Sequence, residues 1–267
     1  MKSLLFFVIG LSGTIAVSAQ IKAGTITYEQ KINLHRTIQD EQMKAMLPEF
    51  RTGEYLLLFS DSISLYKQMP EDEAPDPFAS SGGARIMFRV AGGGGDLYKN
   101  LAEAKSIQVS EIGGKNFLIT DSIRQQPWKL DPATKTILGY TCHKATRKIM
   151  QGGPMMRRMI MNGGETKTDT STQTEKGREV EVVAWYADEL LSPTGPENYG
   201  QLPGVILELN VDNGATVYTA KEVKKTVDTK ELKEPKKGKQ VTRQEFMKIM
   251  SEMMPSGGGA RTIRFGA

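Results

Sequence analysis

The sequence predicts a mainly β protein built on one large antiparallel sheet, with a short helix early in the chain and another near its C-terminus. Three observations carry that expectation. Most of the chain beyond Ala19 alternates apolar and polar residues with the period of two expected of half-buried strands. Tight-turn signals, Gly113-Gly114 and Asn213-Gly214 above all, fall between such runs. Only two stretches show helical spacing behind a recognisable start. Short strands joined by tight turns make a meander the economical topology.

Residues 1–19 have the three parts of a secretory signal. Lys2 supplies the charged start, Leu4 to Val17 an apolar stretch, and Val17-Ser18-Ala19 a small-x-small cleavage site. The apolar stretch holds Gly10 and Gly13 and falls short of the roughly 20 residues a spanning helix needs, so cleavage near Ala19 is expected rather than a membrane anchor. The expected location is periplasmic or secreted. Residues 20–267 are read as one domain, since a chain of this size buries about 70% of its unfolded surface without help from disulfides.

Ile26, Tyr28, Ile32 and Leu34 open the sheet, and Asp40 could cap a short helix through Glu41, Met43, Met46 and Leu47 that Pro48 ends. Further strands are expected at Leu56 to Phe59, Ile63 to Tyr66, Ile86 to Val90, around Ile107 and Val109, around Phe117 and Ile119, and at Ile137 to Cys142. Val180 to Tyr186, Val205 to Val211 and Thr216 to Val223 follow, with Asn213-Gly214 as a type I′ turn between the last two. Thr242-Arg243-Gln244-Glu245 is a capping box, after which Phe246, Ile249, Met250 and Met253 recur at helical spacing. Residues 70–84 and 151–178 have no apolar period and read as flexible excursions from the sheet.

The formal net charge of +4 is too small to argue for nucleic acid. The run Lys230, Lys233, Lys236, Lys237 and Lys239 alternates with Glu231 and Glu234 and reads as a solvated linker.

The segment Gln201-Leu202-Pro203-Gly204-Val205-Ile206 looks like a type II turn at Pro203-Gly204 leading into a core strand. In that strand Val205, Leu207, Leu209 and Val211 would point to one face, and Ile206, Glu208 and Asn210 to the other. This segment resembles the signature of the GLPGLI family, exported proteins found mostly in Bacteroidetes whose role is unknown. Leu138-Gly139-Tyr140-Thr141-Cys142-His143-Lys144-Ala145, Trp185-Tyr186-Ala187-Asp188 and Gly195-Pro196 resemble further family segments. Gln201 stands where the family usually has glycine, and Val205 where it usually has leucine. The resemblance implies a curved sheet, a half-barrel similar to that of periplasmic lipoprotein carriers, with helices against its concave face.

No catalytic residues are assigned from the sequence, and no cofactor is expected. The two histidines, His35 and His143, lie on expected strands without a nucleophile motif, and adjacent Cys142 and His143 leave a strand by opposite faces. Gly92 to Gly95 followed by Asp96 lacks the lysine and helix of a phosphate loop. Among fourteen methionines, Met155, Met156, Met159 and Met161 cluster in a stretch without apolar period and could offer thioethers to Cu(I). Met247, Met250, Met253 and Met254 are better read as helix core. The expectation is a noncatalytic exported protein that binds an apolar, lipid-like or amphipathic ligand on the sheet, or a cell-envelope partner. Cu(I) binding and a purely structural role are the alternatives.

Overall fold

The computed structural model describes residues 20–36, 38, 41–70, 95–151 and 177–253. The secretory signal, Asp40, the strand expected at 86–90, the four methionines Met155, Met156, Met159 and Met161, and the interiors of both excursions lie outside these residues. Gln151 and Arg178, at the ends of the second excursion, are paired strand residues.

Twelve strands form one open sheet. They are β1 (Gly24–Asn33), β2 (Phe50–Phe59), β3 (Ile63–Gln68), β4 (Leu97–Asn100), β5 (Lys105–Ile112), β6 (Lys115–Ser122), β7 (Lys129–Ile137), β8 (Tyr140–Gln151), β9 (Arg178–Ala187), β10 (Val205–Val211), β11 (Thr216–Lys224) and β12 (Lys239–Thr242). The order across the sheet is β12-β6-β5-β4-β3-β2-β1-β11-β10-β9-β8-β7. Two antiparallel meanders, β1 to β6 and β7 to β11, therefore meet where β1 pairs with β11. Among the named strands, the pairing of β12 with β6 is the parallel one, an exception to the expected antiparallel pattern.

Turn chemistry explains much of the register. Gly113 and Gly114 both take positive φ between the paired residues Ile112 and Lys115, as a two-residue type I′ turn requires. Asn213 and Gly214, at φ 49° and 89°, are closed by the Ala215 N–H donating to the Asp212 carbonyl at 3.2 Å. The continuous strand expected at 137–142 is instead a hairpin. Leu138 and Gly139 take φ 51° and 85°, and Ile137 pairs with Tyr140 across them. A leucine in the left-handed position hid that turn from a reading that looks for Asn-Gly or Gly-Gly.

Alternation divides the core between the two faces. On one, Ile26, Tyr28, Leu57, Phe59, Tyr66 and Tyr218 belong to the large buried cluster. On the other, Leu58, Leu65, Tyr98, Ile107 and Leu118 form a second cluster, to which Val227 and Leu232 add. Those two belong to the charged run and its approach, so that segment is more than a solvated linker. It straps across from β11 to β12 over the six intervening strands. Glu231 pairs with Lys67, and Glu234 with Lys105 at 2.7 Å. Its lysines stay exposed, as the charge pattern suggested.

Two helices are present among the described residues, α1 (Glu41–Met46) and α2 (Arg243–Met253). The Thr242 hydroxyl accepts the Glu245 N–H at 3.2 Å, and Glu245 Oε2 accepts the Thr242 N–H at 2.7 Å, the two halves of the capping box. Phe246 and Met250 are buried against Ile112, Phe117, Ile119 and Val241 at the β6/β12 edge, with Phe117 and Phe246 edge to face at 5.7 Å. Met250 is thus core, as its helical spacing suggested.

Candidate functional site

The centre of the first face is covered by the irregular segment 188–204, which joins β9 to β10. Leu190 and Leu202, both essentially fully buried, anchor its ends. Ile21 holds its start through hydrogen bonds with Glu189 O and Leu191 N at 2.9 and 2.8 Å. Between the anchors, the Gln201 N–H donates to the Pro193 carbonyl at 2.7 Å and closes a neck. The Tyr199 N–H donates to Pro196 O at 3.0 Å and forms the tip.

Beneath this segment lies a floor of tyrosines. Tyr55 and Tyr66 stack with ring centroids 5.2 Å apart, and Tyr28 meets Tyr66 edge on at 6.5 Å. Lys99 rises from β4, 4% exposed, and its Nζ donates to the backbone carbonyls of Gly195, Glu197 and Tyr199 at 3.3, 2.8 and 3.1 Å. Three acceptors ask for the three protons of an ammonium, whereas burial pushes the Lys99 pKa down to about 7, with only the Glu197 charge opposing. The cation is therefore held close to the pH at which it would be lost.

Glu197 brings its carboxylate to the same floor. Its Oε1 accepts from Tyr218 Oη at 2.5 Å and from Gln30 Nε2 at 3.4 Å, and Gln30 also donates to Tyr218 Oη at 2.8 Å. Burial raises the Glu197 pKa against the Tyr218 hydrogen bond and the Lys99 charge. Thr194 Oγ1 donates to Ser64 Oγ at 2.9 Å. The buried Tyr66 hydroxyl and Ser192 Oγ have no hydrogen-bond partner among the described residues. At the rim, the Arg147 guanidinium lies over Trp128 and Tyr199, 5.3 and 5.8 Å from their ring centroids, while Trp128 Nε1 donates to Gly200 O at 2.9 Å.

The signature residues sit at the downstream end of this segment, and their geometry corrects two expectations. Gly204 takes no left-handed φ, and its N–H donates to Leu202 O at 2.7 Å, so the turn is a tight one centred on Pro203 rather than type II. What Gly204 supplies is space, since a Cβ there would stand 2.1 Å from Ala187 O. The left-handed residue is Gln201, at φ 64°, the position where the resembled family usually has glycine. Its side chain compensates by donating to Arg124 O at 2.7 Å and accepting the Gln126 N–H at 2.8 Å. Finally, the register slips between Ile206 and Glu208. Ile206 pairs with Tyr186 and Leu209 with Ala184, so Ile206 shares a face with Leu209 and Val211 instead of opposing them.

Cys142 is buried and its thiol pKa is pushed up to about 11 by burial, in keeping with a core residue. His143 is half-buried, its Nε2 3.5 Å from Asp188 Oδ2. Sequence reasoning missed Lys99, Gln30, Tyr218 and Glu197. Two of them left a readable signal: Lys99 shares the face of Leu97, and Gln30 that of Ile26 and Tyr28, so each is a polar residue on the apolar side of a strand.

Residues 128–208 match the family model described as "Protein of unknown function (Porph_ging)". That span takes in β7 to β9, the covering segment and the start of β10, but not the floor residues Gln30, Lys99 and Tyr218. It is consistent with a Bacteroidetes family. No curated protein matches the sequence. Among solved structures, the chain is similar to PNGF-II in its C2 crystal form, with TM-score 0.51 and 15% identity over 86% of this chain and 33% of that one. The P21 form of PNGF-II gives 0.49 and 17% over 86% and 34%. The chain thus spans about a third of PNGF-II, and the likeness is one of mainly β fold. No described helix is long and apolar enough to cross a membrane.

Proposed function

We propose that this is an exported, noncatalytic protein of the GLPGLI type that binds an apolar or amphipathic ligand on its tyrosine-floored sheet face. In this reading the signal is cleaved near Ala19 and the mature chain works in the periplasm or outside the cell. The observation that carries it is the buried Lys99, whose hydrogen-bond partners all belong to the covering segment. A buried charge is a poor way to hold a core together, and an apolar residue would pack there at lower cost. Polar groups converging on an aromatic surface are what a ligand site needs. Lys99 and Glu197 both spend their hydrogen-bonding capacity on holding that segment, which fits binding rather than turnover. Mature protein purified from its own envelope and analysed by native mass spectrometry with lipid extraction should carry a copurifying amphiphile. Its absence there, together with failure of the purified protein to take up any amphiphile, would end this reading.

A second reading, contact with an envelope partner, draws on the β7–β8 hairpin at the edge of the sheet. Leu130, Leu138 and Met150 are 57%, 47% and 63% exposed there. Photo-crosslinkers at these three positions should trap one discrete protein in intact cells, while crosslinkers at exposed sites on the strap should not.

A further inference from the structure

Apart from the Thr194–Ser64 hydroxyl pair at its base, every side-chain hydrogen bond that joins the floor to the tip of the covering segment has the same polarity. The sheet supplies donors: the Lys99 ammonium, the Tyr218 hydroxyl and the Gln30 amide. The segment supplies acceptors: three backbone carbonyls and the Glu197 carboxylate. A core packed for stability has no reason to sort donors and acceptors in this way. A floor that recognises carboxylates does.

We propose that Glu197 is a built-in substitute for the carboxylate of the ligand, and that residues 194–200 form a flap displaced when a carboxylic acid with an apolar tail takes its place on Lys99, Tyr218 and Gln30. This rests on the ligand-binding reading above and adds to it the headgroup and the gate.

The docked flap is held under cost. Glu197 and Gln201 are non-glycine residues in the left-handed region, at φ 47° and 64°. Docking also leaves the Tyr66 hydroxyl and Ser192 Oγ buried without partners among the described residues, and water or a ligand oxygen would satisfy both once the flap lifted. Leu190 and Leu202 remain as anchors on either side, and the neck at Pro193 and Gln201 marks the hinge. The lifted flap uncovers Tyr28, Tyr55, Tyr66 and Tyr218 for the tail.

The experiment locks the flap. Thr194 Oγ1 and Ser64 Oγ are 2.9 Å apart, which places the two side chains within disulfide reach. Mature Ser64→Cys/Thr194→Cys protein, carrying Cys142→Ala to remove the third thiol, is titrated calorimetrically with dodecanoate, dodecanol and dodecyltrimethylammonium. The reduced protein should prefer dodecanoate by about tenfold or more over the other two, the scale of one charge-assisted hydrogen bond. Oxidation should weaken dodecanoate binding by at least as much and dithiothreitol restore it. In the protein without engineered cysteines, Glu197→Ala should tighten dodecanoate binding several-fold, and Lys99→Met should abolish the preference for the acid. Equal binding of all three amphiphiles, or binding indifferent to the disulfide, sinks the gate and headgroup assignment while leaving the wider ligand reading standing. No binding of any of the three to the reduced protein or to Glu197→Ala sinks both.

Discussion

Lys99 Nζ lies 2.8 Å from the backbone carbonyl of Glu197, a contact between β4 and a loop 98 positions further along the chain. With a folded pKa of about 7 against 10.5 in the unfolded chain, Lys99 couples its titration directly to the fold. Between those two values the unfolded chain holds a proton that the folded chain does not, so stability rises with pH across the window. The gain is complete above the unfolded value and lost as pH falls through about 7. Lys99→Met removes this dependence. Denaturant titrations at pH 6, 7.5 and 9 should show wild type gaining on Lys99→Met by an amount on the order of a few kcal/mol. A flat difference would mean that Lys99 is hydrated in solution.

Gly204 stands so close to the end of β9 that a single methyl group has no room. Its Cβ would meet Ala187 O at 2.1 Å, Ala187 C at 2.6 Å and Asp188 Cα at 2.8 Å, all backbone atoms that cannot rotate away. Gly204→Ala should therefore cost about 3 kcal/mol, at the upper end of overpacking effects, and Gly204→Val more. The check is a lowered denaturation midpoint with an unchanged m-value. An alanine variant as stable as wild type would show that β9 and β10 are further apart here than 2.1 Å implies.

The sheet was largely legible in the sequence because alternation and turn chemistry are local properties. Ile26, Tyr28, Val182, Ala184, Leu209 and Val211 announce their face by spacing alone. The short β4, whose Leu97-Tyr98-Lys99-Asn100 holds one complete alternation, does not, and neither does the edge strand β7, which is exposed along most of its length and contains Pro132. The candidate site was illegible for a different reason. Lys99, Gln30, Tyr218 and Glu197 come together only through strand order, and the order places β1 beside β11, a pairing of distant segments that no local pattern encodes. The Gly204 and Ile206 geometries depend likewise on how closely β9 approaches β10.

Gln201 combines a left-handed backbone with two side-chain hydrogen bonds to the segment 124–126. The backbone cost of about 1 to 2 kcal/mol disappears with glycine and stays with alanine. The two hydrogen bonds, worth about 0.5 to 1.5 kcal/mol each, disappear with both. Gln201→Gly should thus lie within about 1 kcal/mol of wild type, while Gln201→Ala should be about 1 to 3 kcal/mol less stable. Thermal unfolding of the pair tests the order, and an alanine variant at least as stable as the glycine variant would show that position 201 is not left-handed.

Thr242 caps α2 in a way that ordinary cap preferences do not describe. Its hydroxyl accepts the Glu245 N–H at 3.2 Å and also donates to Glu245 Oε2 at 2.9 Å. The backbone and hydroxyl bonds from Thr242 hold the Glu245 carboxyl pKa below its usual value. Aspartate ranks with serine as a helix cap in general, but a carboxylate cannot donate, and here it would face Glu245. Thr242→Ser should be nearly neutral, Thr242→Ala should cost about 1 kcal/mol, and Thr242→Asp should fall with alanine rather than with serine at neutral pH. Hydrogen exchange of the α2 amides reads the loss locally, because Phe246 and Met250 dock the helix on Phe117 and Ile119 and fraying would begin at the capped end. An aspartate variant as protected as the serine variant would show that the hydroxyl-to-carboxylate bond contributes nothing, and that the cap acts through the Glu245 N–H alone.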